Sequence, residues 1–173
     1  MAELVDALDS KSSSGNRVWV RFPLWVQIKT MYSLKKQKRY DKAYMKMALE
    51  WAKLSHCTRK QVGALIVKDQ MIISDGYNGT PSGFDNNCEL DSGETKWYVL
   101  HAEANAILKC AKYGQSCRDA DLYLTLSPCK ECSKLIHQAG IKRVIYYKSY
   151  KDASGIEFLK KAGVSVVKID KIK

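Results

Sequence analysis

His101-Ala102-Glu103-Ala104-Asn105, answered downstream by Ser127-Pro128-Cys129-Lys130-Glu131-Cys132, is the part of this chain on which the fold turns. Residues 104–127, 24 in all, separate Glu103 from Pro128, so the pattern is H-A-E, a spacer, then P-C-x-x-C. One imidazole and two thiols make a soft N/S₂ set that suits zinc and leaves the fourth tetrahedral position open. A structural zinc site usually closes with a fourth protein ligand, so three ligands beside a carboxylate indicate catalysis. Two intervening residues let Cys129 and Cys132 reach one ion from the first turn of a helix, whose N-terminus stabilises thiolates. Glu103, two residues after His101, is placed to handle protons at the metal without ligating it. A redox pair would explain C-x-x-C alone, and H-A-E alone carries no signal. Their order and distance together point to a catalytic zinc.

Outward from these motifs, residues 121–126 read as a strand that delivers Pro128 to the metal. Residues 101–112 read as a helix with Ala104, Ile107 and Leu108 on its buried side. A second helix over 129–138 is ended by Gly140. Then come a strand at 143–147, a helix at 154–161 closed by Gly163, and a last strand at 164–169. A helix between those two strands requires a crossover, so they run parallel. Upstream, Ala43, Tyr44, Met47, Ala48, Trp51, Ala52 and Leu54 predict an amphipathic helix over 39–55. Residues 62–67 and 71–77 predict a hairpin that turns at Lys68-Asp69-Gln70. Residues 76–83 form a loop rich in Gly, Asn and Pro, and the polar stretch 84–97 is expected as a surface excursion. The sum is an α/β domain over 31–173, a five-stranded mixed sheet flanked by helices. Both metal motifs fall at helix starts beside strand ends, where open α/β sheets bind ligands.

The length of 173 residues and a hydrophobic share of 46% fit one domain with its own core. No apolar run approaches the roughly 18 residues that span a bilayer, and no secretory signal pattern opens the chain. With two of six cysteines assigned to zinc, a disulfide framework is not expected and a reducing cytoplasm is the simplest compartment. The net charge of +11 is uneven: residues 35–60 hold nine Lys/Arg against Asp41 and Glu50. Such a block suits an anionic partner, nucleic acid included, but it equally describes the solvated face of an amphipathic helix. Few aromatics interleave it, which weakens a single-strand-binding role. Residues 1–30 differ from the rest. They resemble the peptide made when a transfer-RNA gene is translated by mistake, which would place the natural start at Met31. Alternatively they are a short extension that packs Trp19 and Trp25 on the domain. Poor order is expected there.

Zinc lowers the pKa of its water from about 16 towards 7. The resulting nucleophile attacks a polarised ring carbon that bears an exocyclic amine. Glu103 takes the proton, delivers it to the ring nitrogen and helps ammonia to leave. The H-x-E and P-C-x-x-C pattern is a recognised signature of zinc-dependent deaminases. From about residue 39 to 169 the chain resembles the deoxycytidylate (dCMP) deaminase family, within the wider cytidine-deaminase-like zinc enzymes. His101, Glu103, Pro128, Cys129 and Cys132 carry the wider resemblance. The narrower one rests on Cys57-x-Arg59-x-x-Val62-Gly63-Ala64, Gly76-Tyr77-Asn78-Gly79-Thr80-Pro81 and His101-Ala102-Glu103-Ala104-Asn105-Ala106-Ile107.

This resemblance implies a three-layer α/β/α fold and hydrolysis of dCMP to dUMP and ammonia, which feeds thymidylate synthesis. It further implies a homohexamer activated by dCTP and inhibited by dTTP, with Mg²⁺ accompanying the triphosphate. It assigns nucleotide or effector recognition to the 76–81 loop, with Asn78 and Gly79 as contacts. Arg59 is the candidate for phosphate and Tyr150 for stacking on the base, with Thr125 and Ser127 bordering the pocket. Each has a plainer alternative: Asn78 as a turn residue, Arg59 as a surface cation, Tyr150 as a rim or core aromatic. Some members hold a second, structural zinc, and Cys57 and Cys88 stand where two of its ligands would be. No histidine lies between Cys88 and His101 to complete that set, which departs from the pattern. Cys110 and Cys117 are expected as buried thiols, and His137 as an ordinary helix residue. Two other functions fit parts of the pattern: a deaminase of transfer RNA or single-stranded nucleic acid, and a non-catalytic zinc- or nucleotide-binding module.

Overall fold

Strand alternation decides the layers of this protein. The computed structural model describes residues 23–172. Their elements are α1 (Leu24–Ala52), β1 (Gly63–Lys68), β2 (Met71–Tyr77), α2 (Ala102–Lys112), β3 (Asp121–Leu126), α3 (Lys130–Gln138), β4 (Arg143–Lys148), α4 (Ser154–Lys161) and β5 (Ser165–Lys168). Residues 1–22, most of the expected extension, lie outside the described residues; α1 begins at Leu24, well before the predicted start at 39. The sheet and the site belong to the compact unit Gln37–Lys173.

The five strands form one sheet in the order β2-β1-β3-β4-β5. β1 runs antiparallel to β2 and β3, while β3, β4 and β5 are mutually parallel. The expected parallel pair is present, and β3–β4 extends it because α3 supplies a second crossover. The hairpin turns on two residues, Asp69 and Gln70, with φ of 50° and 65°, as a type I′ turn demands. Lys68 therefore pairs with Met71 in the ladder and is not part of the turn.

Ala64, Ile66, Leu122, Leu124 and Val144 point to one face, where α2, α3 and α4 add Ala106, Ile136 and Leu159. Leu65, Val67, Tyr123 and Ile145 point to the other, where α1 adds Met45 and Ala48. This is the period-2 pattern of a sheet buried on both faces, and it makes three layers, α/β/α.

Two helix faces differ from the expectation. α2 buries Ala102, Glu103, Ala106 and Cys110, while Leu108 is 54% exposed. α1 buries Asp41, Met45, Ala48 and Ala52 and leaves Met47 exposed, while Leu54 lies beyond the end of the helix and is exposed as well. In α2 small residues face the sheet so that helix backbone can approach it closely, and Leu108 is displaced to the flank. Gly76 on β2 shows how close. A Cβ there would overlap the Ala102 carbonyl oxygen and lie 2.8 Å from the Ala106 nitrogen. Gly76→Ala must push α2 off the sheet, and we expect a loss of about 1–3 kcal/mol in urea unfolding, the usual cost of overpacking. Catalysis should suffer as well, because α2 carries the H-A-E motif at its start.

A charged network ties α1 to the sheet. Arg143 Nη2 donates to Asp41 Oδ1 at 2.7 Å and to Asp121 Oδ2 at 2.8 Å, and the Tyr123 hydroxyl donates to Asp41 Oδ1 at 2.8 Å. Burial works to raise the Asp41 carboxyl, but hydrogen bonds from Arg143, Gln37 and Tyr123 outweigh it and hold it below its ordinary 3.8. A carboxyl depressed by folding contributes stability above its unfolded pKa and loses it as pH falls through the folded value. Acid unfolding should therefore lose this contribution only below pH 3.8. Asp41→Ala should remove it at neutral pH and cost about 3 kcal/mol by leaving Arg143 under-compensated. Chemical denaturation at pH 7 and pH 3 reads both effects.

Candidate active site

α2 and α3 each start from a residue in extended backbone, and those N-cap residues are His101 (φ −74°, ψ 154°) and Cys129 (φ −74°, ψ 169°). The Cys132 N–H donates to Cys129 Sγ at 3.5 Å, so the thiol itself caps α3. His101 makes no capping bond. Its Nδ1 sits 3.6 Å from Cys129 Sγ and 3.3 Å from Cys132 Sγ. The three donor atoms lie within 4.8 Å of one another. Ligands around a tetrahedral zinc lie about 3.5–3.8 Å apart at ordinary Zn–S and Zn–N lengths. The set therefore fits the ion with little adjustment. The loop before α3 is braced from behind by Gly155, where a Cβ would overlap the Pro128 carbonyl oxygen and lie 2.6 Å from Ser133 Oγ.

Electrostatics agree with the donor set. Hydrogen bonding with Cys132 and His101 pulls the Cys129 thiol down to about 3, so it is a thiolate at neutral pH. Its neighbour Cys132 is pushed up, first by that bond to Cys129 and then by burial. The pair thus shares one proton, which a divalent cation would displace on binding. His101 is raised mainly by its bond to Cys129. Glu103, 4% exposed, has its carboxyl pushed by burial from 4.5 to about 7. A carboxyl poised near neutrality both accepts and releases a proton readily.

His101, Glu103 and Cys129 line a cavity of about 460 Å³. Arg59, Lys60 and Tyr150 line its rim, with Asn78 and Ser127 on its sides. Lys60 Nζ lies 4.7 Å from the Tyr150 ring centroid, and Ser127 Oγ accepts the Tyr150 N–H at 2.7 Å.

Residues 38–148 match the family model of the cytidine and deoxycytidylate deaminase zinc-binding region. A deoxycytidylate deaminase of Mycobacterium phage D29 is 37% identical over 123 residues, which are 63% of this chain and 94% of the phage protein. The chain belongs to the deoxycytidylate deaminase family. A dCMP deaminase of cyanophage S-TIM5, solved in complex with dCMP and dUMP, superposes with a TM-score of 0.72 at 48% identity. That match covers 73% of this chain and 94% of the cyanophage one. ComE operon protein 2 of Bacillus subtilis is 40% identical over 121 residues, 67% of this chain, and the match spans 64% of its own length.

Within this deaminase fold the expected site residues separate into three groups. His101, Glu103, Cys129, Arg59, Ser127, Asn78 and Tyr150 all line the cavity, with Cys132 behind the metal position. Asn78 does so with its amide in use: Oδ1 accepts the Val62 N–H at 2.7 Å and Nδ2 donates to the Lys60 carbonyl at 2.8 Å. These bonds tie the loop to the backbone at Lys60 and Val62. Thr125 and Gly79 stand away from the lining. Thr125 Oγ1 accepts the Gly63 N–H at 3.0 Å inside the sheet, and Gly79 exchanges backbone hydrogen bonds with Leu100. Strand pairing consumes both, which is why a border position in sequence did not become a pocket position.

The second-zinc expectation needs correction. Cys57 and Cys88, 31 residues apart, are joined in a disulfide, so neither sulfur is free to ligate an ion. The excursion over 84–97 folds back far enough to bring their Cα atoms to 5.1 Å. One bridge is not the disulfide framework that the sequence argues against, and Cys110, Cys117, Cys129 and Cys132 are free thiols. Cys110 and Cys117 are buried as expected, the latter pushed by burial up to about 12.

Sequence reasoning missed Lys60, Glu89 and Thr95, which also line the cavity. Lys60 was visible as the end of the basic block, next to Arg59. The rest of that block behaves as a solvated helix face, with Lys42, Lys46 and Lys53 exposed. Asn105 Nδ2 donates to the Tyr77 carbonyl at 3.0 Å and so ties the H-A-E-A-N helix to the Gly-Tyr-Asn-Gly loop.

Proposed function

We propose that this protein hydrolyses dCMP to dUMP and ammonia at the His101–Cys129–Cys132 centre. The observation that carries this is the buried Glu103 beside a complete N/S₂ ligand set, at the floor of a cavity with a cationic rim. Zinc held by those three residues would supply Lewis acidity and bring the pKa of water at the site towards neutrality. Glu103 accepts the proton that water gives up and passes it to N3 of the cytosine ring. As oxygen bonds to C4 and the C4–N bond breaks, the same carboxyl carries a proton to the departing amine, and ammonia leaves. Arg59 and Lys60 bind the 5′-phosphate, Arg59 with its planar fork and Lys60 as a point charge. Tyr150, fixed on one side by Lys60 and through its backbone by Ser127, offers its ring to the base.

The same proposal includes control by dCTP as activator and dTTP as inhibitor, with Mg²⁺ on the triphosphate, in a cytoplasmic homohexamer that supplies dUMP for thymidylate. What supports these finer parts is the Gly-Tyr-Asn-Gly-x-Pro loop, tied to the catalytic helix through Asn105. No helix among the described residues is long and apolar enough to cross a membrane. Ultraviolet-monitored conversion of dCMP by zinc-loaded protein tests the proposal. Turnover is expected, faster with dCTP and slower with dTTP. A zinc-bound protein inert towards dCMP in every condition would overturn it and direct attention to RNA substrates.

A further inference from the structure

Lys60 and Tyr150 share one rim of the cavity, and a bound nucleotide needs both of them at once. Lys60 Nζ stands over the Tyr150 ring, 4.7 Å from its centroid. Both residues line the cavity, so the ammonium covers a ring face that a ligand entering at the rim would meet. Stacked aromatic rings sit with centroids about 4.5–7 Å apart. The ammonium therefore stands where a base stacked on that face would lie. It cannot keep that position and also hold the phosphate of a nucleotide whose base is stacked there. The two side chains differ in how they are held. Tyr150 is anchored through its backbone N–H, which donates to Ser127 Oγ at 2.7 Å. Lys60 is anchored through its carbonyl, which accepts from Asn78 Nδ2 at 2.8 Å. The Lys60 side chain itself is exposed, and no carboxylate among the described residues pairs with it. An exposed ammonium gains only about 2- to 5-fold from an aromatic face, whereas a phosphate dianion draws it far more strongly.

We propose that Lys60 sets specificity for nucleotides over nucleosides by covering Tyr150: the substrate's phosphate draws the ammonium off the ring, and the base takes its place. This rests on the dCMP reading above. A nucleoside brings no phosphate, so it must displace the ammonium unaided or bind without the stacked ring. Lys60 thus acts twice against a nucleoside, through the contact it offers a phosphate and through the surface it withholds from a base. Arg59 has only the first effect, because its Nη1 is directed away from the ring, to Thr95 Oγ1 at 3.3 Å.

The test is calorimetric titration of zinc-loaded protein with dUMP and with 2′-deoxyuridine, for the wild type and for Lys60→Ala. The substitution removes the ammonium but keeps the bond from Asn78, which uses the backbone. dUMP should bind Lys60→Ala about 10- to 100-fold more weakly, the loss of one charge-assisted contact. Deoxyuridine should bind it about 2- to 5-fold more tightly, because the ring is free. A Lys60 that only contacts phosphate would leave deoxyuridine unchanged, and one that only supports the fold would weaken both ligands; either result overturns the proposal. So does a deoxyuridine that binds neither protein. Tyr150→Leu is the control: in that background Lys60→Ala should bring deoxyuridine no gain, and a gain that persists cannot come from the ring and overturns the proposal too. dCMP turnover is measured on the same samples. Wild-type protein that neither turns over dCMP nor binds dUMP fails the deaminase reading first and takes this inference with it. Turnover with deoxyuridine affinity unchanged by Lys60→Ala removes the Lys60 mechanism alone.

Discussion

Glu103→Gln should lower kcat for dCMP by about 10²–10⁴-fold, the range expected when a general acid–base group is removed. The substitution keeps the shape of a side chain that is 4% exposed at the start of α2, but an amide can neither take a proton from water nor return one to N3. Zinc content should not change, because the proposed ligand set, His101, Cys129 and Cys132, does not include it. Initial rates and zinc per chain, measured on the same samples, separate loss of chemistry from loss of the metal. Activity above a tenth of the wild-type level would remove Glu103 from the mechanism. A second effect accompanies the first. Burial raises this carboxyl from 4.5 to about 7. A group raised by folding gives its stability below the unfolded pKa and loses it as pH rises through the folded one. Zinc-free wild-type protein should therefore lose stability between about pH 4.5 and pH 7. Zinc-free Glu103→Gln should lack this loss and be the more stable by about 2–3 kcal/mol at pH 8. Greater stability with less activity is the outcome that marks a residue kept for function.

Cys132→Ala should abolish both metal and turnover. Three ligands hold the ion, and a site of this type derives about 10 kcal/mol or more from its ligands together. Removal of one thiolate should weaken zinc binding by on the order of 10³-fold or more. Cys132 is the better choice for the experiment because Cys129 also caps α3 through its sulfur, so its loss would confound metal binding with helix fraying. The measurements are zinc per chain after dialysis, dCMP turnover, and thermal unfolding with and without added zinc. Wild-type protein should gain thermal stability with zinc and the variant should gain none. A variant that keeps zinc through dialysis would show that the ligand set is wrong.

Much of the site was legible because its parts lie at short, fixed offsets. In H-A-E, the residue before a helix and the second residue within it fall beside one another. In P-C-x-x-C, the cap and the third helical residue do so again. Backbone geometry guarantees both, whatever the rest of the chain does. Strands β1 to β5 are likewise visible as β-rich runs, and the helix between the last two requires a crossover that makes them parallel.

Side-chain partners across the fold were a different matter. Helical periodicity placed Leu108 inside, yet Ala102 and Ala106 face the sheet because Gly76 lets the helix backbone come that close. Thr125 and Gly79 adjoin the site in sequence but are consumed by the sheet and by Leu100. Glu89 reads as part of a polar loop and becomes a buried wall of the cavity, 30 residues from the Arg59 amide it holds. Asp41 meets Arg143 across a separation of 102. Spacing within a helix or strand is dictated by bonds and dihedrals, so the sequence by itself determined which His, Cys and Glu side chains gather at the two helix starts and that the last two strands run parallel. Which groups face each other across a cavity depends on how loops and layers close over one another, a balance of many weak contacts that no local pattern encodes, and that only the tertiary structure decided.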